Sequence, residues 1–151
     1  MSAGRFSYKD IGGTIASSYA AIGAFSRSAH EHGLDKPLAE LVKLRVSQIN
    51  GCAFCVAVHL KFARALAVEQ AKLDLVAVWR ESPVFSPAEK AALAWAEEMA
   101  RMPEARPSDA VREALADHFS HDQIIGLNIA IASISAWNRM AVAFGFSPAD
   151  I

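Results

Sequence analysis

The chain has 151 residues, 53% of them hydrophobic, and its 15 Lys and Arg against 16 Asp and Glu leave a formal charge of −1. At this length roughly 68–70% of the unfolded surface can be buried, so one domain builds a core without needing disulfides or a metal. The even charge balance, with no basic block interleaved with aromatics, excludes a protein that tracks a phosphate backbone, and nucleic acid is not an expected partner.

Between Met1 and Ala20, Lys9, Asp10 and Gly12-Gly13 leave no apolar run behind a basic start, so no secretory leader is read and a cytoplasmic location is expected. The segment from about Ile15 to Glu31 places Tyr19, Ile22, Phe25 and Ala29 on one face and predicts a first helix that stops near Gly33. Asp35 caps a second helix with Pro37 in its first turn, where a missing N–H is harmless, and that helix breaks at Asn50-Gly51. A third helix opens at or just before Cys52 and runs to about Leu66, and a fourth spans about Glu69 to Arg80, closed by Ser82-Pro83. Ser86-Pro87-Ala88-Glu89 is a capping box that starts a fifth helix, which continues to about Arg101 before Pro103. Ser108 caps a sixth helix to about His118, and Ser120 with Gln123 repeats the box for a last helix ending at Phe144-Gly145. No strand alternation or internal repeat occurs, and the turn from Pro103 to Pro107 is too short for a linker, so the class is all-α, a single domain over residues 1–151.

The longest stretch without an ionisable residue, Gln123 to Asn138, is interrupted by Gly126, Asn128, Ser133 and Ser135. It falls short of the roughly 20 apolar residues of a membrane span and reads as a central or interfacial helix. No membrane partner is expected. The high apolar fraction and the alanines on otherwise exposed faces point to subunit interfaces, hence a homo-oligomer.

The only two cysteines stand as Cys52-Ala53-Phe54-Cys55, with His59 four residues later and Glu40 twelve residues before the first. At about 100° per residue, Cys52, Cys55 and His59 fall in a stripe about 60° wide, able to face one small pocket. In a reducing compartment such a pair is more often catalytic or metal-binding than a permanent staple. The helix N-terminus offers free N–H groups and the positive end of the dipole, which favour thiolate over thiol. A thiolate that attacks an electrophilic oxygen becomes a sulfenic acid, and the second thiol condenses with it to a disulfide, so the cycle needs an external reductant and no bound cofactor. Glu40 shares a mostly apolar face with Leu44 and Ser47 on the preceding helix. Desolvation there would raise its pKa and suit it to general-base work, with His59 relaying the proton or orienting a water. A structural zinc site in a usual spacing would need a second C-x-x-C or an H-x3-5-H, which the chain lacks; Cys52, Cys55, His59 and Glu40 could still hold a metal together, but the redox reading is favoured and no metal is expected.

The run from Glu40 through Cys52 and Cys55 to His59, an E-x11-C-x2-C-x3-H pattern, resembles the signature of the alkylhydroperoxidase AhpD-like branch of the carboxymuconolactone decarboxylase superfamily. Trp79-Arg80, Phe85-Ser86 with Glu89, and Ala136-Trp137-Asn138-Arg139 extend the likeness over roughly Leu34 to Phe144. The resemblance implies an AhpD-like bundle of about six to seven helices, assembled as a trimer or hexamer, that reduces peroxides through a redox-active dithiol. It also implies that Cys55 is the peroxidatic and Cys52 the resolving cysteine, with Glu40 and His59 as the proton relay. This chain departs from many relatives in having Phe54 where a histidine can stand between the cysteines, and Ala57 where an aspartate can precede the histidine. Both changes remove polarity beside the pocket.

Two other activities suit the same residues: a protein disulfide oxidoreductase or redox sensor, and a carboxymuconolactone decarboxylase-like lyase that does not use the thiols. His30, His32, His118 and His121 read as helix-end residues without a role, and Trp79, Trp95 and Trp137 as core or interface aromatics. Asn138 and Arg139 read as residues that fix helix packing.

Overall fold

A computed structural model of the protein describes Tyr8, Gly13, residues 15–102, Glu104 and residues 106–151. Lys9, Asp10 and Pro103, on which the expected N-terminus and the stop of the fifth helix rest, lie outside these residues. Seven α-helices are present among the described residues and no strand: α1 (Ala16–Ser28), α2 (Lys36–Ile49), α3 (Ala53–Ala65), α4 (Gln70–Leu75), α5 (Pro87–Ala100), α6 (Asp109–Ala116) and α7 (His121–Phe144).

Cap chemistry sets most of the starts. The Asp35 carboxylate accepts from the Leu38 N–H at 3.1 Å to open α2. Ser86 with Glu89, and Ser120 with Gln123, form reciprocal capping boxes at α5 and α7. Ser108 caps α6 by accepting from the Val111 N–H, while its own hydroxyl and N–H both donate to Glu98 of α5. Gly145, at φ 69°, supplies the left-handed stop of α7.

Two elements differ from their sequence pattern. The first helix gives way at Ser28, whose hydroxyl donates back to the Phe25 carbonyl, and continues as a 3₁₀ turn, Ala29–His32, before Gly33 at φ 75°. The fourth leaves α geometry at Leu75 and becomes the 3₁₀ turn Val76–Val78. At about three residues per turn this winding sets Val76 and Trp79 one above the other, and both are buried.

The core has two lobes that share α2. Leu38, Ala39, Val42 and Val46 pack with Cys52, Phe54 and Cys55 of the α3 entrance, Ala92 and Trp95 of α5, and Leu127, Ile131 and Ile134 of α7. Leu41 and Leu44 point the other way, into Ala63, Leu73, Val76, Trp79, Phe85 and Leu93. Because α2 is buried on every side, its polar residues need partners within the protein. Arg45 donates from Nε to Glu97 Oε1 at 2.7 Å, and the same carboxylate accepts from Trp79 Nε1 at 2.9 Å and from Arg80 Nη1. Burial pushes the Glu97 carboxyl up, but the bonds from Trp79, Arg45 and Arg80 and the charge of Arg45 outweigh it and hold the group ionised below its ordinary range. Trp79 is thus a hydrogen-bonding core residue as well as an apolar one.

Asn138 of α7 accepts from Asn50 Nδ2 at 2.9 Å and donates to Ser47 Oγ at 3.0 Å, tying α7 to the end of α2 and to the turn that leads to the cysteines. Its expected packing role is met. Arg139 instead bonds the Ser135 carbonyl within its own helix. No described helix is long and apolar enough to cross a membrane.

Gly126 marks the closest approach of α7 to the Ala29–His32 turn: a Cβ there would lie 2.5 Å from the Ala29 carbonyl oxygen. Gly126→Ala gains about 1 kcal/mol of helix propensity, but it drives the new methyl into the Ala29 carbonyl, and so close a contact with backbone costs toward the upper end of the roughly 1–3 kcal/mol of overpacking, or more. The clash wins. A thermal melt of Gly126→Ala should show a Tm lower by roughly 2–8 °C, and an unchanged or higher Tm would mean that this contact is not tight.

Candidate functional site

The turn between α2 and α3 delivers the cysteines. Gly51 takes φ 67°, which glycine adopts without strain, and the Cys52 N–H bonds the Ser47 carbonyl at 3.0 Å. Cys52 is the N-cap of α3, with extended backbone, and its sulfur accepts from the Cys55 N–H at 3.2 Å. Cys52 and Cys55 are joined as a disulfide across a Cα–Cα distance of 5.3 Å, inside the ordinary range for such a bond. Both residues are nearly inaccessible, at 2% and 3% exposure.

Seven residues from the first cysteine, His59 is buried on α3, and its Nδ1 lies 2.6 Å from Glu40 Oε2 of α2. The other carboxylate oxygen, Oε1, accepts from Lys43 Nζ at 3.2 Å. Among the described residues no hydrogen bond joins either sulfur to Glu40 or His59. Cys55 of the first pair and both members of the second share a cavity of about 450 Å³, with Lys43 also in its wall. No side-chain N or O that is closed to solvent lacks a partner among the described residues. The His59 Nε2, which has no protein partner there, therefore opens onto the cavity.

Three expectations are corrected. The common stripe holds for Cys55 and His59 but not for Cys52, which is absent from the cavity wall. As an N-cap it lies outside the helical rotation, and its sulfur turns back over the first turn of α3. Glu40 is buried as its apolar face implied, but its pKa is not raised. Burial pushes the carboxyl up, yet the hydrogen bond and charge of His59, together with Lys43, outweigh burial and hold the group below its ordinary value near 4.5. Glu40 is therefore an anion whose Oε2 holds the His59 ring through Nδ1. Finally, His30 is more than a helix-end residue: its Nδ1 lies 3.1 Å from the Leu34 carbonyl, and its ring lines the cavity.

Lys43 escaped notice in the sequence, although its place three residues after Glu40 on a helix is the spacing of an ion pair. Tyr19 and Trp137 pair edge to face at 4.8 Å between ring centres and form cavity wall rather than sealed core. Among the described residues no group of three or more His, Cys, Asp and Glu side chains is gathered as a metal site would need.

Since the folded-state pKa of Glu40 is depressed, its ion pairs stabilise the fold fully above the unfolded value and are lost as pH falls through the folded value. Glu40→Gln should lower stability at pH 7 by about 2 kcal/mol, in the range of a hydrogen bond to a charged group. It should also make stability fall less steeply with acid below about pH 4.5. Urea midpoints across pH 3–7 for both proteins, all fully oxidised, check this, and parallel curves would show that Glu40 is not held ionised.

Comparison with known proteins places these residues in a family. The model of the carboxymuconolactone decarboxylase family matches residues 16–98. The uncharacterised Bacillus subtilis protein YdfG is 34% identical over 115 residues, which cover 76% of this chain and 78% of YdfG. A crystal structure of an Agrobacterium tumefaciens protein of unknown function, provisionally assigned as the antioxidant defence protein AhpD, is similar with a TM-score of 0.85 and 36% identity over 90% of this chain and 93% of that one. An uncharacterised peroxidase-related protein from Silicibacter is similar with a TM-score of 0.74 and 25% identity, over 85% of this chain and 69% of the other. The matched span includes Glu40, both cysteines and His59, and with the helical fold common to nine-tenths of the chain it makes this protein a member of the carboxymuconolactone decarboxylase family with an AhpD-like fold.

Proposed function

We propose that the protein is a thiol-dependent peroxidase that reduces hydrogen peroxide or organic hydroperoxides through Cys52 and Cys55, with Cys55 attacking and Cys52 resolving. The observation that supports this most directly is the cavity, which presents Cys55 beside His59 and leaves Cys52 behind its wall. A hydroperoxide entering there meets one sulfur and one proton carrier.

In the first step His59 Nε2 takes the Cys55 thiol proton. The thiolate attacks the distal oxygen of ROOH, the O–O bond breaks, and the departing RO⁻ recovers that proton as ROH, leaving a sulfenic acid on Cys55. Glu40 fixes the ring through Nδ1 and stabilises the transient imidazolium, as a carboxylate does in a catalytic triad. The Cys52 thiolate then attacks the Cys55 sulfur, the S–S bond forms, and hydroxide leaves and is protonated to water. An external thiol or dithiol returns two electrons by exchange, attacking Cys55 through the cavity. Cys52 then departs as a thiolate at the N-cap of α3, where the Cys55 N–H and the helix dipole stabilise it. The N-cap sulfur is thus the better leaving group and the cavity sulfur the better target.

The near-complete burial of both sulfurs favours a small oxidant over a folded disulfide-exchange partner. The chain works as one domain in a reducing compartment such as the cytoplasm, without a resident cofactor. Exposed Phe25, Phe62, Val78 and Val142 support assembly with copies of itself as a trimer or hexamer.

One equivalent of hydroperoxide should consume both thiols of the reduced protein. Cys52→Ser should accumulate a trappable sulfenic acid on Cys55. If the acid forms only in Cys55→Ser, the two roles are reversed, and if peroxide consumes no thiol the peroxidase reading fails. A double serine variant fully active on a lactone would establish the lyase instead. His59→Gln should slow thiol oxidation by about 10²-fold or more, the usual share of positioned acid–base groups. Stopped-flow rates decide this, and an unaltered rate would remove His59 from the relay.

A further inference from the structure

The cavity is far larger than its chemistry with hydrogen peroxide requires. A volume of about 450 Å³ lies in the range that takes a whole small organic molecule, whereas a peroxide group alone needs little more room than a water. The wall beyond the sulfur is mainly apolar and aromatic. Phe54, the residue standing between the cysteines, packs its ring against Tyr8 at 5.1 Å and Phe146 at 5.3 Å and lines the cavity, with Val58, Ile134 and Trp137 around it.

One cationic side chain in this wall has no protein partner among the described residues. Lys43 and His59 are both engaged by Glu40. Arg27 of α1, an exposed residue, also lines the cavity, and among the described residues its guanidinium makes no hydrogen bond or ion pair. Its guanidinium lies back over the preceding turn, where a Cβ on Gly23 would come within 3.2 Å of Nη1, so the glycine leaves space for it against the helix. A planar guanidinium with free N–H groups at an apolar cavity matches a carboxylate, which it can bind in bidentate fashion.

Building on the peroxidase reading, we propose that the cavity takes a bulky organic hydroperoxide with an aromatic or otherwise apolar body and a carboxylate. The body fills the space beside Phe54 and Trp137, the carboxylate binds Arg27, and the peroxide group is left for Cys55 and His59. Hydrogen peroxide, with neither body nor charge, is then a poor substrate by comparison.

The test uses three probes on the reduced 151-residue chain: hydrogen peroxide, cumene hydroperoxide carrying a 4-carboxylate, and the methyl ester of that carboxylate. Thiol loss in single-turnover mixing, which needs no reductant, should be about 10-fold faster for the acid than for the ester at low salt. Both should react faster than hydrogen peroxide. The advantage of the acid should shrink as salt is raised. Arg27→Gln should bring the acid-to-ester ratio close to one, and Arg27→Lys should restore part of it. An ester as fast as the acid, or hydrogen peroxide faster than both, overturns the proposal.

Binding separates this inference from the reading it rests on. The disulfide form should bind the carboxylated alcohol product about 10-fold more tightly than its methyl ester, followed by tryptophan fluorescence with Trp137 in the wall. Arg27→Gln should lose that preference. If this binding holds while no hydroperoxide consumes thiols, the peroxidase reading falls and the ligand class stands. If the acid and ester bind alike, the ligand class falls whatever the kinetics.

Discussion

A helix buried on all sides can carry polar side chains only where other elements bring partners to them, and α2 carries several. Glu40 and Lys43 meet each other and His59 of α3, Arg45 meets Glu97 of α5, and Ser47 meets Asn138 of α7. Each pairing offsets the desolvation of a group that would otherwise destabilise the fold, and each also fixes where a neighbouring helix sits. The site inherits its geometry from this requirement. His59 is oriented because Glu40 is buried, and the cysteine turn is placed because Asn138 clasps both Ser47 and Asn50.

The same constraint sets the protonation of the site. A carboxylate alone in an apolar lobe would be pushed toward neutrality, but a carboxylate sharing its two oxygens between an imidazole and an ammonium remains charged. Burial therefore decides that Glu40 has to be paired, and the pairing reverses the effect of burial on its pKa. In the proposed chemistry this gives a division of labour in which the anion orients and the imidazole moves the proton.

The two sulfurs are distinguished by backbone, not by sequence neighbours. Cys52 ends an extended turn and accepts a hydrogen bond from the helix it precedes, whereas Cys55 is already inside α3 and turns toward the cavity with His59. One thus sits at a helix N-terminus and the other borders the cavity, although both are nearly closed to solvent. Around them the loss of polarity noted at Phe54 and Ala57 has a structural counterpart at the first position: Phe54 joins an aromatic cluster that forms cavity wall. Fold membership alone does not choose a substrate. The shape and charge of that wall are what the proposed substrate preference rests on.

Helix starts at Asp35, Ser86, Ser108 and Ser120, the stops at Gly33 and Gly145, and the closeness of Cys52 to Cys55 at the entrance of a helix were legible in the chain, because capping, periodicity and motif spacing act over a few residues. The winding of Val76 to Trp79, the ionisation of Glu40, the cavity-lining roles of Lys43, His30 and Arg27, and the separation of Cys52 from the cavity were not. These depend on groups far apart along the chain: His59 is 19 residues from Glu40, Glu97 is 52 from Arg45, and Asn138 is 91 from Ser47. Solvation and electrostatics respond to distance in space, so a charge state or an accessible sulfur takes its value only once helices remote in sequence have packed together.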